Sequence, residues 1–345
     1  MRVLVLHTQI PFVTGGAEVL VTGLVDALQQ RGHTAEVVAL PIRWNPPDKL
    51  LGTALAWRML DLTEVAGEKI DLVICTKFPT WAINHPNKVL WLIHQHRQAY
   101  DLYGSPFSEF GPHAPDQHLR SAIFQIDRAG ISECKRRYAI SRNVASRLRE
   151  FLGIESEPLY PPVEDRDLWP ESYEPFILSV ARLDPLKRIE SLVEAWPQVD
   201  DRLRLKITSV GPMRPYLEER ARALGASDRI DFLGRVDDDE LASLFRTCRA
   251  VYYAPIDEDY GYTAVEAMSA GKPVVTAADS GGVLEFVRDE ETGLVSPLDG
   301  PSLAASVNRY LDEDLARKHG GEGTTVVSDI SWDHVVTTLL GELAP

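Results

Sequence analysis

Apolar and polar positions are distributed along this chain in blocks that predict alternating strands and helices. Arg2 to His7 is an aliphatic run containing Val3, Val5 and Leu6, and it reads as a buried strand. The turn Thr14-Gly15-Gly16 follows. From Ala17 to Arg31, Val19, Leu20, Leu24, Val25 and Leu28 recur at helical spacing, and Gly32 stands where a C-terminal cap is expected. Thr34 to Leu40 reads as a second strand. The first forty residues therefore predict one βαβ unit with a right-handed crossover.

Ile70 to Cys75 and Lys88 to Ile93 are near-continuous apolar runs, as in parallel strands covered on both faces. Pro106 to Pro115, rich in Gly, Pro and His, predicts a loop. Cys134 to Ile140 and Ser141 to Phe151 predict a strand and then a helix. Tyr160-Pro161-Pro162-Val163, with Pro-bearing sequence to Pro175, marks a linker. Beyond it the rhythm restarts: strands Phe176–Val180, Leu203–Val210, Ile230–Phe232, Ala250–Ala254 and Pro273–Ala277 alternate with helices Ile189–Trp196, Tyr216–Leu224, Asp238–Arg246 and Thr263–Ala270. The expectation is an α/β protein of two doubly wound, Rossmann-like domains, residues 1–165 and 166–330. The segment 331–345 holds a last helix from Trp332 that could pack on either domain, including back on the first.

Length agrees, because 345 residues at about 150 per domain make roughly two. With 44% apolar and 25% charged residues the chain is neither disordered, nor collagen-like, nor a disulfide miniprotein. No apolar run reaches the roughly 18 residues of a membrane-spanning helix. The opening MRVLVLHTQI has no small-residue cleavage site, so it reads as a strand rather than a signal peptide. The net charge of −15 repels polyanions, so nucleic acid is not an expected partner. Between Arg97 and Arg149, however, nine Arg or Lys face five Asp or Glu. That reversal reads either as a solvated face or as a surface for an anionic lipid or acceptor. Cys75, Cys134 and Cys248 have no metal-ligand spacing and read as reduced thiols.

Candidate chemistry collects at strand-to-helix turns, the edge where open α/β sheets bind ligands. Gly15 and Gly16 would let backbone N–H groups approach an anion, the alternative being a tight turn with no ligand. His94 and His96 follow a strand directly; two histidines alone are poor evidence for zinc, and backbone-bonded loop histidines are the alternative. Arg182 and Lys187 bracket the next turn, one leaving the strand and one entering the helix, and could converge on a diphosphate; the alternative is two solvated cations. Glu258 and Glu266 lie eight apart, in a loop and in the following helix. Carboxylates accept hydrogen bonds from vicinal hydroxyls, so a sugar or ribose fits them, against a salt-bridged Glu266 and a solvated Glu258. Ser280-Gly281-Gly282 adds another turn at this edge. Asp237-Asp-Asp-Glu240 reads as a helix cap.

Taken together, GGAE after the first strand, SVARLDPLK, the YPPVE hinge, EDYGYTAVEAMSAGKPVV, DSGGVLEFV and ETGLV resemble a retaining glycosyltransferase of the GT-B fold, specifically family four. The resemblance covers nearly the whole chain. It implies two Rossmann-like domains facing a cleft, the first binding the acceptor and the second a nucleotide sugar. Glu258 would contact the donor sugar's hydroxyls and Glu266 the ribose, with Tyr260, Gly261, Tyr262 and Thr263 between them lining the donor site. Arg182 and Lys187 would neutralise the leaving diphosphate, Gly15 and Gly16 would close over it, and His94 would lie beside the anomeric centre. Gly211 matches the first glycine of the family's G-x-G turn, whereas Met213 replaces the second, which leaves base preference open.

The implied reaction moves a sugar from a UDP- or GDP-sugar to a hydroxyl of a saccharide or lipid-linked acceptor with retention, in glycan, glycolipid or glycoconjugate biosynthesis. The departing diphosphate would help take the acceptor proton. No metal or other cofactor is expected, the nucleotide sugar being a substrate. A cytoplasmic location follows, with peripheral membrane contact through Arg97–Arg149. The alternatives are a phosphorylase or hydrolase on the same fold and a non-enzymatic nucleotide-sugar binding protein.

Overall fold

The computed structural model describes residues 1–12, 15–43, 49–163 and 167–341. Thr14 of the first turn, Glu164 to Arg166 of the linker and the last four residues lie outside the described residues. The chain forms two compact units, Met1–Glu164 with Ile330–Pro345, and Asp165–Asp329.

In the first unit, strands β1 (Arg2–Gln9) and β2 (Thr34–Pro41) flank helix α1 (Gly16–Gln30). Helix α1 buries Leu20, Leu24 and Leu28 on the sheet and ends where Gly32, at φ +79°, turns the chain. Helix α2 (Lys49–Met59) and a small hairpin, β3 (Glu64–Val65) with β4 (Glu68–Lys69), precede β5 (Leu72–Lys77) and β6 (Lys88–His94), whose apolar runs are almost wholly buried. Helix α3 (Ala114–Ser132), strand β7 (Arg136–Ala139), helix α4 (Arg142–Leu152) and strand β8 (Glu157–Pro158) complete the unit. The sheet order is β2-β1-β5-β6-β7-β8, all parallel.

The expected Pro106–Pro115 loop is shorter than its composition suggests, because α3 begins at Ala114 with Pro115 in its first turn, where no hydrogen bond is lost. Only Ile123, Asp127, Gly130 and Ile131 of this 19-residue helix are buried, so its apolar stripe is too thin to read from sequence. Gly130 is required by packing: a Cβ there would stand 2.7 Å from the Trp81 carbonyl oxygen. Asp127 is buried beneath, accepting from Trp81 Nε1 (2.9 Å) and Tyr100 Oη (2.7 Å). Cys75 and Cys134, distant in sequence, are buried close enough to raise the Cys75 thiol pKa further, after the larger effect of burial.

Within unit two, strands β9 (Phe176–Val180), β10 (Arg204–Thr208), β11 (Ile230–Gly234), β12 (Ala250–Tyr252), β13 (Val274–Thr276) and β14 (Gly293–Val295) pair in parallel in the order β11-β10-β9-β12-β13-β14. Helices α5 (Ile189–Ala195), α6 (Arg214–Ala223), α7 (Asp238–Thr247), α8 (Tyr262–Ser269), α9 (Gly300–Asn308) and α10 (Glu313–Val327) cover it. As expected, Asp237 caps α7, accepting from Glu240 N at 2.8 Å. Numbered within the unit, the order is 3-2-1-4-5-6, with the chain reversing direction across the sheet between β9 and β12.

The last helix, α11 (Trp332–Leu340), belongs to the first unit. Arg136 donates to the Leu339 carbonyl (2.9 Å), and Trp332 meets Trp91 edge-on at 6.2 Å. A Cβ on Gly23 of α1 would lie 2.7 Å from the Trp332 ring, so the glycine makes room for this docking.

Candidate active site

Carboxyl ends of adjacent parallel strands bring together loops that are distant in sequence, and the second unit uses this at its switch point. The loop after β9 carries Arg182 and Lys187; the loop after β12 carries Glu258. Lys187 Nζ donates to Glu258 Oε2 and, at 3.2 Å, to Tyr253 Oη. Each of the two charged side chains is only 20% exposed. Burial works to lower the Lys187 pKa, but Tyr253 and the Glu258 carboxylate outweigh it and hold the ammonium above its ordinary value. Tyr253, buried beneath, is pushed up and stays a neutral hydroxyl.

Lys187 does not enter the helix as the spacing suggested. Lys187 ends a 3-10 turn, Pro185–Lys187, and α5 starts two residues later. Arg182 is 67% exposed and bonds Asp184 at 2.8 Å, so each cation has its own carboxylate. Met213 N donates to the Leu183 carbonyl (3.0 Å), and a Cβ on Gly211 would lie 2.3 Å from that oxygen. The G-x-x turn thus packs directly on the Arg182–Asp184 loop, which requires glycine at 211 and accepts methionine at 213.

The loop bearing Glu258 interlocks with the Ser280–Gly282 turn. Glu258 N donates to Ser280 O (3.3 Å) and Gly282 N to Glu258 O (2.8 Å). Gly282 must be glycine, since its Cβ would meet the Asp259 carbonyl at 2.6 Å, and Gly261 opens α8 at φ +102°. Thr263 Oγ1 donates to Val180 O (3.0 Å), tying α8 to the end of β9. Tyr260 is buried edge-on against Tyr262 and Phe286, and Glu266 lies half-buried one turn beyond Thr263. The candidate residues of this unit therefore stand on the loops and the first two turns of α8 at one sheet edge.

In the first unit Gly15 and Gly16 open α1, exposed, after β1. His94 ends β6 and donates through Nδ1 to Gln95 O at 2.7 Å, since a carbonyl only accepts. His96 is drawn down to about 4, first by burial and then by His94, and is neutral at pH 7. Between β1 and β5, this sheet's own switch point, lies a cluster that sequence reasoning missed. Glu18 accepts through Oε1 from His7 Nε2 and Lys77 Nζ (both 3.2 Å), and through Oε2 from Gly15 N (2.9 Å). Burial pushes Glu18 up, but His7 and Lys77 outweigh it and bring the carboxyl down to about 2. Burial lowers the pKa of His7, keeping it neutral at pH 7. The ionised Glu18 thereby fixes the Gly15 turn. The only sequence signal was the Glu of GGAE, whose partners, at positions 7 and 77, no local pattern connects.

Of the basic Arg97–Arg149 residues, Arg97 bonds Asp101, while Arg120, Arg136 and Arg137 donate to backbone carbonyls. Arg128 and Arg149 are exposed. No group of three or more His, Cys, Asp or Glu able to hold a metal is found among the described residues. No helix among them is long and apolar enough to cross a membrane.

Comparison with known proteins adds to this geometry. Residues 164–325 match the family model for glycosyl transferases group 1. The chain is 34% identical over 175 residues to an uncharacterised glycosyltransferase of Methanocaldococcus jannaschii, covering 49% of this chain and 45% of that protein. It is 37% identical over 175 residues to the D-inositol 3-phosphate glycosyltransferase of Salinispora tropica, covering 47% and 36%. The matched part thus spans less than half the length of either relative. Among solved structures, sucrose-phosphate synthase from Thermosynechococcus elongatus aligns with a TM-score of 0.75 at 20% identity, over 99% of this chain and 98% of that one. WaaG, a glycosyltransferase involved in lipopolysaccharide biosynthesis, aligns with a TM-score of 0.75 at 15% identity, over 99% and 100%. These likenesses show the fold.

Proposed function

Because residues 164–325 match the model for glycosyl transferases group 1 and the chain has the GT-B fold, we propose that it is a retaining glycosyltransferase acting on a nucleotide diphosphate sugar. The observation that supports this best is the ammonium of Lys187, held between Glu258 and Tyr253 at the switch point of the second sheet. In this reading Lys187, with Arg182, accepts the charge that grows on the leaving diphosphate. Such a fixed cation in a mostly buried site costs no reorganisation at the moment of reaction. Glu258 accepts hydrogen bonds from donor sugar hydroxyls, and Glu266 from the ribose. Gly211 and Gly282 let the Leu183 and Asp259 backbones pack closely and so set the loops of the donor site, which Tyr260, Gly261, Tyr262 and Thr263 complete. In the first unit Gly15 spends its N–H on Glu18 and so holds the turn, Gly16 offers an N–H suited to an anion, and His94 stands at the carboxyl end of β6.

The bond from the anomeric carbon to the diphosphate oxygen breaks as the acceptor oxygen attacks the same face, and the acceptor proton passes to the departing diphosphate. Neither carboxylate serves as a nucleophile, and no metal or other cofactor enters the reading. UDP is the first donor nucleotide to try, because an Anabaena protein of similar fold is solved with UDP and glucose. The test is incubation with UDP- and GDP-sugars, with and without saccharide or lipid-linked acceptors, followed by NMR of the product's anomeric configuration. Retained configuration on an acceptor is expected. Inversion, or sugar release only to water or phosphate, overturns the reading. We also place the protein in the cytoplasm, with Arg128 and Arg149 facing an anionic membrane or acceptor. Co-sedimentation with anionic vesicles should then be lost in Arg128→Glu/Arg149→Glu, and failure of the native chain to sediment overturns the membrane contact.

A further inference from the structure

Lys187 and Glu258 meet across two loops, and an adjacent residue holds those loops in register. We propose that Arg188, with Asp279, is a positioning residue for the proposed transfer, acting through Lys187 and Glu258; the inference rests on that reading of the site.

The Arg188 guanidinium uses four of its N–H bonds at once. Nε donates to Ala254 O (2.7 Å), Nη2 to Pro255 O (2.8 Å) and to Asp279 Oδ1 (2.7 Å), and Nη1 to Asp279 Oδ2 (2.8 Å). Three loops are thereby joined: the one after β9, the one leading to Glu258, and the one before the Ser280–Gly282 turn. Asp279 completes the clamp from its backbone, its carbonyl accepting from Asp257 N at 2.8 Å. The main chain of Arg188 is pinned as well, since Tyr252 Oη donates to its carbonyl at 3.0 Å.

Backbone strain lies at the same places. Arg188 has φ +50° and Asp257 φ +43°, a region that side chains rarely adopt. Such conformations persist only where the surroundings over-determine them. The fork of Arg188 closed on Asp279 does so for both residues, and these directly adjoin Lys187 and Glu258. Lysine cannot replace arginine here, because one ammonium cannot serve two carbonyls and both carboxylate oxygens in a plane. The pair also depresses the pKa of Asp279, chiefly through the Arg188 hydrogen bonds, so the clamp stays charged at neutral pH.

The test uses the full chain, reading kcat and KM for the nucleotide sugar and the affinity for UDP by titration calorimetry. Arg188→Gly suits the left-handed backbone but removes the fork, and it should lower kcat/KM by at least about tenfold through misplaced donor contacts. Arg188→Lys should not restore activity. Asp279→Ala, at a side chain 63% exposed, should also lower kcat/KM while the protein stays folded. In a Glu258→Gln background each change should lower it by clearly less than in the native chain, a non-additivity that a merely structural role would not produce. Activity of Arg188→Gly within twofold of the native chain, or a full additive loss in that background, overturns the proposal. If Arg188→Gly does not fold, Asp279→Ala decides by the same cycle. A native chain that transfers no sugar overturns the functional reading instead; UDP affinity then takes the place of kcat/KM, and unchanged affinity in both variants overturns the positioning role.

Discussion

Replacing Lys187 by alanine separates the chemical work of the second unit's switch point from its contribution to stability. Lys187 is bonded to Glu258 and Tyr253, and both charged side chains are 20% exposed. Exposed ion pairs contribute about 0.2–1 kcal/mol, whereas removing one partner of a fully buried pair costs about 3–5. For a pair four-fifths buried, with Tyr253 left as a neutral neighbour, an intermediate cost of about 2 kcal/mol applies. For a unit of this size that is a fall in Tm of roughly 4–8 °C. Losing one preorganised charge against a developing anion costs about 2.7–4 kcal/mol of transition-state stabilisation, hence at least about a hundredfold in kcat. The paired substitution Lys187→Met/Glu258→Gln removes both charges, so it should regain much of the lost Tm and none of the lost rate. The assay is initial velocity at saturating nucleotide sugar beside scanning calorimetry of the same samples. A Lys187→Ala enzyme within tenfold of native kcat refutes the assignment of this lysine to the leaving diphosphate. A double variant that regains activity along with Tm refutes the separation of the two roles.

Other expectations follow from the same structure. Asp127 is raised to about 7 by burial, against the bonds from Tyr100 and Trp81, so its contribution to stability is fully present below about pH 4 and is lost as pH rises through 7. Asp127→Asn should remove a slope of about 1.4 kcal/mol per pH unit across that window; an unchanged slope in chemical denaturation between pH 4 and 7 counts against it. Glu18, held at about 2, contributes stability that is complete above its ordinary value of 4.5 and lost as pH falls toward 2. Glu18→Gln should therefore flatten the acid limb of the stability curve, and an unaltered limb would show that His7 and Lys77 do not carry it. Gly211→Ala puts a methyl 2.3 Å from the Leu183 carbonyl oxygen, a contact that moves the Arg182–Asp184 loop. UDP affinity should drop by more than about tenfold, and titration calorimetry showing native affinity would exclude the close packing of these turns.

Much of the architecture was legible because its signals are local. Apolar runs flanked by glycine, such as those around Val5 and Ile74, mark buried parallel strands whatever lies beside them. The α1 stripe and its Gly32 cap, and the Asp237 cap of α7, are likewise read from a few consecutive residues. Helix α3 escaped this reading because it buries so little; a stripe of Ile123, Gly130 and Ile131 around a buried Asp127 carries no apolar period.

For the proposed site, sequence named the candidates: the glycines at the turns, the cations after β9, and the carboxylates flanking the start of α8. Only the tertiary structure decided their partners. Lys187 meets Glu258 across 71 positions, Arg188 meets Asp279 across 91, and Lys77 meets Glu18 across 59. The physical reason is sheet order. Where a parallel sheet reverses its winding, the first strand lies beside the fourth in the second unit, and β1 lies beside β5 in the first. Hydrogen bonding between those strands fixes which loops become neighbours, and no periodicity along the chain records it.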